Sequence, residues 1–546
     1  MIYTLYTYIF RELLRVFLLA MIALTLILSL GSILQPIQHY GAGPRQVLVF
    51  MFYFLPIILT FVLPIAALFS GALVYGRFTS DNELDACRAS GISIINLVVP
   101  GLVLAIVVAI SNLFLSFYIM PTFVHLAEKS IKADIKQMLF RGIERNGYFK
   151  IDIPPDNKYL LYADYVDTQN DTLWGIVLTK VEGAELTEIN TTESAKIKII
   201  PHEQNNEVQI APRKIYMLSP DHAVSLDSMV FTTEFGSLLA DNISFKKIDE
   251  MRKIKADLMK FDPVAKKAKA AWSQLVTELL AFDFQNRIKG HDEVEQHENS
   301  GFDSNFYELP GDPNSVKFSF VPYTIMKEQI DFAGDITFIE YNASAGENLR
   351  TFKCKEASLR IEGNGLEPDL TMSFTSAIDM ENGEIEMWHT VSGLNIPKNI
   401  QKILNQFIND NGSINVQKLS AQITDVPGFK ASSILTERQG SLEREIQVTE
   451  TEMRSELHSR LVFGIGCIAM IMIGIAIGII KKGGHLLSAF GASCVPAAIL
   501  VVCIISGKQL TENLGAQTVS GITIMWGGLG ALCILVLVLY YYLLKN

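Results

Sequence analysis

Six long apolar runs, three near each end of the chain, leave this sequence few ways to fold. They cover about Val16 to Leu34, Val47 to Tyr75 and Ile94 to Met120, then Leu461 to Ile480, Leu486 to Ser506 and Ile522 to Leu544. A helix needs roughly 20 apolar residues to cross a bilayer, where no water can satisfy an open backbone. Each run therefore reads as a transmembrane helix. About 340 residues without a comparable run separate the third from the fourth. The pattern predicts a membrane α-helical fold of six transmembrane helices, three plus three, with a large polar insert between the halves. The expected boundaries are 1–125, 126–455 and 456–546. At 49% hydrophobic residues the chain is too apolar for a soluble enzyme and too charged to lie wholly in lipid.

A cleaved signal peptide is not expected at the first run, although Arg11 and Arg15 precede it. The run is too long, lacks a small-residue cleavage site and leads straight into further spans. Orientation follows Lys and Arg near the spans. With Met1 inside, the inner segments hold Arg11, Arg15, Arg77, Arg88, Lys481, Lys482 and Lys545, and the short outer loops hold only Arg45 and Lys508. Lys129, Lys132 and Arg454 lie on the outer side close to spans and blunt the bias, but large domains translocate with little regard to charge. Both termini are expected in the cytoplasm and the insert outside it. The net charge of −11 argues against nucleic acid as a main partner.

Within the insert, "AKIKII" (Ala195 to Ile200), "VKFSF" (Val316 to Phe320), "DITFIEY" (Asp335 to Tyr341) and "LTMSF" (Leu370 to Phe374) alternate apolar and polar residues as strands do. An extracytoplasmic all-β domain, jellyroll-like or otherwise antiparallel, is expected, divided into two β units at about 137–245 and 310–430. A helical segment at about 246–288 interrupts it. Ile248, Met251, Ile254 and Leu258, then Trp272, Leu275, Leu279 and Phe282, recur at helical spacing around Pro263. These amphipathic helices are expected to pack on the β domain, with partner binding as the alternative reading. The polar stretch Lys289 to Asn305 reads as a loop. Cys354 is the insert's single cysteine, so no disulfide framework can form within it.

Motifs of chemistry are missing. The sequence contains no G-x-x-x-x-G-K-[ST], H-E-x-x-H, C-x-x-C or G-x-S-x-G. The insert's histidines follow no metal-site spacing. No catalytic residue, metal or cofactor is expected. The chain is therefore not expected to hydrolyse nucleotide by a P-loop.

The most informative stretch is "GRFTSDNELDACRASGIS", Gly76 to Ser93, a polar island between the second and third apolar runs. Ser80-Asp81-Asn82-Glu83 matches the S-x-x-E capping box, in which Ser80 and Glu83 satisfy one another's amides. Asp81 places negative charge at the helix N-terminus. Gly91 can take the left-handed conformation that ends a helix. A short helix within about 80–91 is predicted on the cytoplasmic side. It is either an ordinary surface helix or one built to pass a push into the membrane.

The island resembles the coupling-helix signature of the LptF/LptG lipopolysaccharide-export permeases, G-R-L, a few polar residues, E, then A-x-G-[IL]-S. "FLPIILTFVLPIAALFSGALVYGRF" (Phe54 to Phe78) is similar to the proline-bearing second span of that family. "SELHSRL" (Ser455 to Leu461) is similar to its E-x-H-x-R sequence before the fourth span. The resemblance implies a permease in the bacterial inner membrane with a periplasmic insert. It further implies pairing with a second six-span chain, identical or not, and docking of a cytoplasmic ABC ATPase dimer. The pair would extract lipopolysaccharide and pass it to a periplasmic bridge protein. Arg77, Ser80, Asp81, Glu83, Arg88 and Gly91 then form the ATPase-docking helix, with Glu83 matching the family's acidic coupling residue. The insert is longer than the family pattern. Where members often carry a basic residue facing lipid phosphates, near the outer end of the first span, this chain offers only His39 and Arg45.

Pro56, Pro64 and Pro496 interrupt spans two and five and suit helices that bend along a lipid path. Gly474 and Gly478 form a G-x-x-x-G that lets helices approach closely, either inside the bundle or at a subunit interface. The spans offer no intramembrane carboxylate for an ion-driven relay. Two other readings compete: a membrane-anchored periplasmic scaffold that pumps nothing, and an exporter of a different glycolipid.

Overall fold

The computed structural model describes residues 2–40, 44–153, 157–182, 185–201, 206–218, 223–228, 231–235, 242–294, 306–311, 314–319, 321–326, 329–342, 347–362, 369–409, 411–421, 426–480, 486–513 and 518–545. From the N-terminus come α1 (Ile2–Tyr40), α2 (Pro44–Ser80), the short α3 (Glu83–Ala89), α4 (Ile94–Phe114), a π-helical turn (Leu115–Ile119) and α5 (Met120–Asn146). Strands β1 (Tyr148–Ile153), β2 (Asn157–Asp167), β3 (Thr172–Glu182), β4 (Glu185–Pro201), β5 (Asn206–Leu218), β6 (Ala223–Ser228) and β7 (Phe231–Phe235) follow, then α6 (Ile248–Ala256) and α7 (Asp262–Val294). Next come β8 (Phe306–Leu309), β9 (Asn314–Ser319), β10 (Tyr323–Met326), β11 (Gln329–Asn342), β12 (Glu347–Glu362), β13 (Asp369–Asp379) and β14 (Ile385–Leu394), then α8 (Lys398–Leu404) and α9 (Val416–Ser420). The chain ends in α10 (Ser433–Ile480), α11 (Leu486–Glu512) and α12 (Thr518–Lys545). Six of these helices, α1, α2, α4 with α5, α10, α11 and α12, are long and apolar enough to cross a membrane.

Two compact units result, Met1–Met251 with Thr451–Asn546, and Arg252–Glu450. In the first, spans from both ends of the sequence share one core, in which Leu13, Val62, Ala66, Tyr75, Leu104, Ile471 and Ile475 are buried together. Leu19, Leu30, Ile106, Ile110 and Leu537 instead face outward, as a bilayer allows and water does not. The helices approach closely where glycine removes a side chain. A Cβ at Gly474 would lie 2.7 Å from the Leu68 carbonyl, and one at Gly478 2.7 Å from that of Ala72. The G-x-x-x-G of α10 therefore packs inside the bundle, backbone to backbone against α2. On α12, Gly528 packs on Cys503, whereas Gly527 and Gly530 face open space.

The same unit holds a seven-stranded antiparallel sheet in which β1 to β6 follow sequence order and β7 also pairs β5. It contains "AKIKII" within β4 (Glu185–Pro201). Leu161, Val166, Leu173, Ile176 and Ile197 of its apolar face pack on Leu139, Phe140 and Ile143 of α5. Residues 137–146, expected in the first β unit, are thus helical. Gly147, with φ +78°, ends α5 by donating to the Ile143 carbonyl.

The second unit is built on α7. Both predicted amphipathic helices form, and Pro263 falls in the first turn of α7, where its missing N–H is tolerated. Trp272, Leu275, Val276 and Leu279 are fully buried. Glu278 accepts from the Ser432 amide at 2.9 Å, and Ser432 in turn caps α10 by accepting from Leu435. Helix α7 continues through Val294, where a loop was expected, and residues 295–305 lie outside those described. The unit's seven-stranded sheet runs β14-β13-β12-β11-β9-β8, with β10 also on β11. The other predicted strand motifs fall in β9 (Asn314–Ser319), apart from Phe320, which lies outside the described residues, and in β11 (Gln329–Asn342) and β13 (Asp369–Asp379). Phe284 of α7 enters its apolar face, 5.7 Å from Phe318 and 5.4 Å from Phe332. Residues 398–420, expected to be β, carry the short helices α8 and α9.

One titratable cluster lies in this sheet. His389 Nδ1 is 2.6 Å from Glu386, and Nε2 is 3.4 Å from Glu340, off the line of a good hydrogen bond. The ring lies 4.6 Å from Phe352. Arg350 of β12 (Glu347–Glu362) pairs with Glu386 at 3.3 Å. The two carboxylates, Glu340 first, hold the imidazole pKa above its ordinary value.

Two outcomes follow. Replacing Gly474 with Leu forces α10 off α2 and should lower stability by ~1–3 kcal/mol or more. Gly530→Leu, in open space, should leave it unchanged, and thermal melts of the two purified variants compare them. Because the folded pKa of His389 is raised, its stabilisation is complete below about pH 6.5 and fades as pH rises through the folded value. Hydrogen exchange across β13 and β14 should show less protection at about pH 8 than at about pH 6. That difference should vanish in His389→Gln.

Candidate coupling site

The polar island folds as a short helix slung between two spans. Helix α3 is anchored by Leu84, buried in the same core as Phe78 and Tyr75. Ser80, Asp81, Asn82, Glu83, Arg88 and Gly91 are exposed. The C-terminal end is as expected. Gly91 has φ +83° and donates to the Arg88 carbonyl, while Ile92 donates to that of Cys87, a Schellman closure. Ser93 then caps α4, accepting from the Asn96 amide at 3.4 Å.

The N-terminal end corrects the sequence reading. Ser80 does not cap α3, because its backbone is still the last residue of α2 and so is not free to take the extended cap conformation. Asn82 stands at the cap with φ 57° and no side-chain bond. The turn is closed by backbone instead: Asp81 donates to the Arg77 carbonyl and Asn82 to that of Thr79. Asn tolerates the left-handed conformation better than most residues, which explains its place here.

Helix α1 braces this turn. Arg77 pairs with Glu12 at 3.3 Å, its guanidinium 5.4 Å from the Phe78 ring centroid. Glu12 also pairs with Arg15 at 2.9 Å. Tyr8 stacks on Phe78 and donates to Glu83 Oε2 at 3.4 Å. Arg77 thus ties α2 to α1. Asp81 in the turn and Glu83 on α3 are exposed, with half-exposed Asp85 4.0 Å from Arg88. Lys481 and Lys482 lie outside the described residues.

The other sequence candidates are not gathered here. The side chains of His39 and Arg45 lie outside the described residues. Pro56 and Pro64 are buried within α2, and Pro496 is half-buried in α11. Pro64 deprives the Thr60 carbonyl of its helical donor, and Asn112 of α4 supplies one, Nδ2 to O at 2.7 Å. Sequence reading passed over Asn112, whose signal is a lone amide within an apolar run.

A second polar cluster surrounds the E-x-H-x-R residues. Glu456 receives Arg460 at 2.8 Å and Lys508 of α11 at 2.6 Å. Arg460 also donates to the Ser244 and Lys246 carbonyls, at 2.7 and 3.3 Å, and lies 5.5 Å from the Phe117 ring centroid. Lys508 reaches Ser244 Oγ at 3.0 Å. Trp526 of α12 donates to His458 at 3.2 Å. Glu456 and Arg460 are buried, and removing one partner from such a pair costs about 3–5 kcal/mol. Lys508, read from sequence as an outer-loop cation, is a half-buried member of this knot.

A short anchored helix with an acidic face, carried between two spans, can receive a partner and move the spans with it. Among the described residues no cluster of His, Cys, Asp and Glu could hold a metal ion. A search of curated protein sequences gives no significant match. A family model described as lipopolysaccharide export system permease LptF/LptG matches residues 7–288 and 334–542, all six spans and most of the insert. With that match over most of its length, this multi-pass membrane protein belongs to the LptF/LptG family of lipopolysaccharide export permeases.

Proposed function

We propose that this chain is one permease half of an ATP-driven lipopolysaccharide exporter, in which α3 is the helix that a separate ATPase subunit grips. The observation that carries this reading is the exposed acidic face of α3, rooted by Leu84 in the core of the spans. Family membership supplies the substrate class. The absence of a phosphate-binding loop from the sequence requires that nucleotide be hydrolysed elsewhere.

On this reading both termini and α3 face the cytoplasm, and the β insert faces the periplasm of a bacterial inner membrane. A second six-span chain, of the same or another sequence, completes the cavity that takes lipopolysaccharide from the outer leaflet. ATP binding in the docked ATPase dimer displaces α3, and α2 and α4 carry that movement through the bilayer. The lipid then leaves along the β insert toward a periplasmic bridge protein. Asp81, Glu83 and Asp85 favour a partner surface that presents Lys or Arg. Arg77 acts from behind, holding the turn against α1.

Glu83→Ala should leave the fold nearly unchanged, within about 0.5 kcal/mol, because the side chain is exposed. It should weaken ATPase docking about tenfold, near 1.4 kcal/mol. Thermal melts and copurification of the ATPase subunit, read side by side, give the two numbers. Undiminished copurification and export would overturn the assignment of Glu83. Failure of the wild-type chain to retain any ATPase would favour a scaffold that pumps nothing.

A further inference from the structure

We propose that Asn112 and Tyr75 cross-brace α2 and α4 into a single rigid member, and that both are positioning residues for the force received at α3. The second half of this statement rests on the docking role proposed above; the first half does not.

Helices α2 and α4 flank α3 on either side in the chain, so any movement of α3 enters both. Among the described residues, two side-chain bonds tie them together within the membrane. Asn112 donates to the Thr60 carbonyl at 2.7 Å, with Asn112 1% and Thr60 7% exposed. Tyr75, fully buried, donates to the Leu97 carbonyl at 2.8 Å. The braces lie far apart. Thr60 is about 30 Å along α2 from Ser80 at 1.5 Å per residue, close to the thickness of the hydrocarbon. Tyr75 is about 8 Å from that end. One brace therefore stands near α3 and the other deep on the far side.

The far brace is hard to release. Pro64 has no N–H to give Thr60, and with Thr60 7% and Asn112 1% exposed, water has little access to replace it. If α2 slid or tilted against α4, the Thr60 carbonyl would lose the donor that Asn112 gives it. The Thr60 hydroxyl, donating to the Pro56 carbonyl at 3.0 Å, stays on its own helix. Pro64 of α2 and Pro100 of α4 fall between the two braces, which hold the helices together across them, and beyond the far brace come Pro56 and the π turn Leu115–Ile119. The braced section has a defined end.

The test begins with the purified chain in lipid nanodiscs, spin-labelled through unnatural amino acids at outward-facing Ile65 and Ile106. Asn112→Leu, similar in volume, should broaden or shift the distance distribution between the labels. In a Pro64→Ala background Thr60 regains a helical donor, and the same substitution should have less than half its effect. An unchanged distribution, or equal effects in both backgrounds, would overturn the brace. If Asn112→Leu does not accumulate, Tyr75→Phe, which removes one oxygen atom, carries the same measurement near α3.

In the assembled exporter, with its ATPase subunit and second permease chain, Asn112→Leu should lower lipid delivered per ATP by about threefold or more. ATPase retention should stay at the wild-type level. A residue that only stabilised the fold would lower yield and leave that ratio alone, and such a result would overturn the force-bearing role. A wild-type chain that binds no ATPase would overturn the docking reading and the force-bearing role together. The brace itself is decided by the labels.

Discussion

The contact of α10 with α2 through Gly474 and Gly478 is the constraint on which the membrane half of this protein depends. Its two sets of three spans are separated in sequence by the whole insert. Lipid gives them no hydrophobic reason to meet, because acyl chains are as apolar as leucine. Association must come from close packing and from polar groups that cannot be left open. At Leu68 and Ala72 the backbones come near enough that a single methyl group would be excluded. Leu113 fills the space at Gly464, and Ile475 that at Gly101. With α2 fixed against α10, the position of α3 is fixed as well, because α3 leaves the end of α2 through a two-residue turn.

Charge appears in this unit where it can be satisfied. Glu12, Arg15 and Arg77 pair at the α3 end, and Glu456, Arg460, Lys508 and Glu512 gather elsewhere. The second cluster also closes the carbonyls of Ser244 and Lys246, so it ties the segment after the first sheet to spans α10 and α11. The E-x-H-x-R residues thus have a visible structural task. His458 faces Trp526 while Glu456 and Arg460 face each other, so one short motif contacts α11, α12 and the 244–246 segment.

The spans were legible because the bilayer imposes one rule, twenty apolar residues in helix, that ignores context. The strands were legible where one face is buried, as in β9 with Val316 and Phe318 in and Lys317 out. The helix α3 was legible at Gly91, since a left-handed closure is a local event. Its other end was not. S-x-x-E is a local signal too, but α2 runs on through Ser80 and overrides it, leaving Asn82 to make the turn. The partners of Arg77, Lys508 and Asn112 were hidden for another reason. Glu12 is 65 residues from Arg77 and Glu456 is 52 from Lys508, and no short window contains both members of either pair. Sequence marks such residues only as polar groups in costly places.

The aromatic face of the second sheet is already occupied. Phe284 of α7 meets Tyr307, Phe318 and Phe332 there, with Leu280 and Leu359 alongside, and all six are nearly free of solvent. Withdrawing a side chain as large as Phe284 forfeits ~1.5–3 kcal/mol of burial, and its neighbours would be uncovered with it. A passing acyl tail would have to evict the helix that holds this unit together. The apolar face of this sheet is therefore committed to its own packing, with α7 as the stopper.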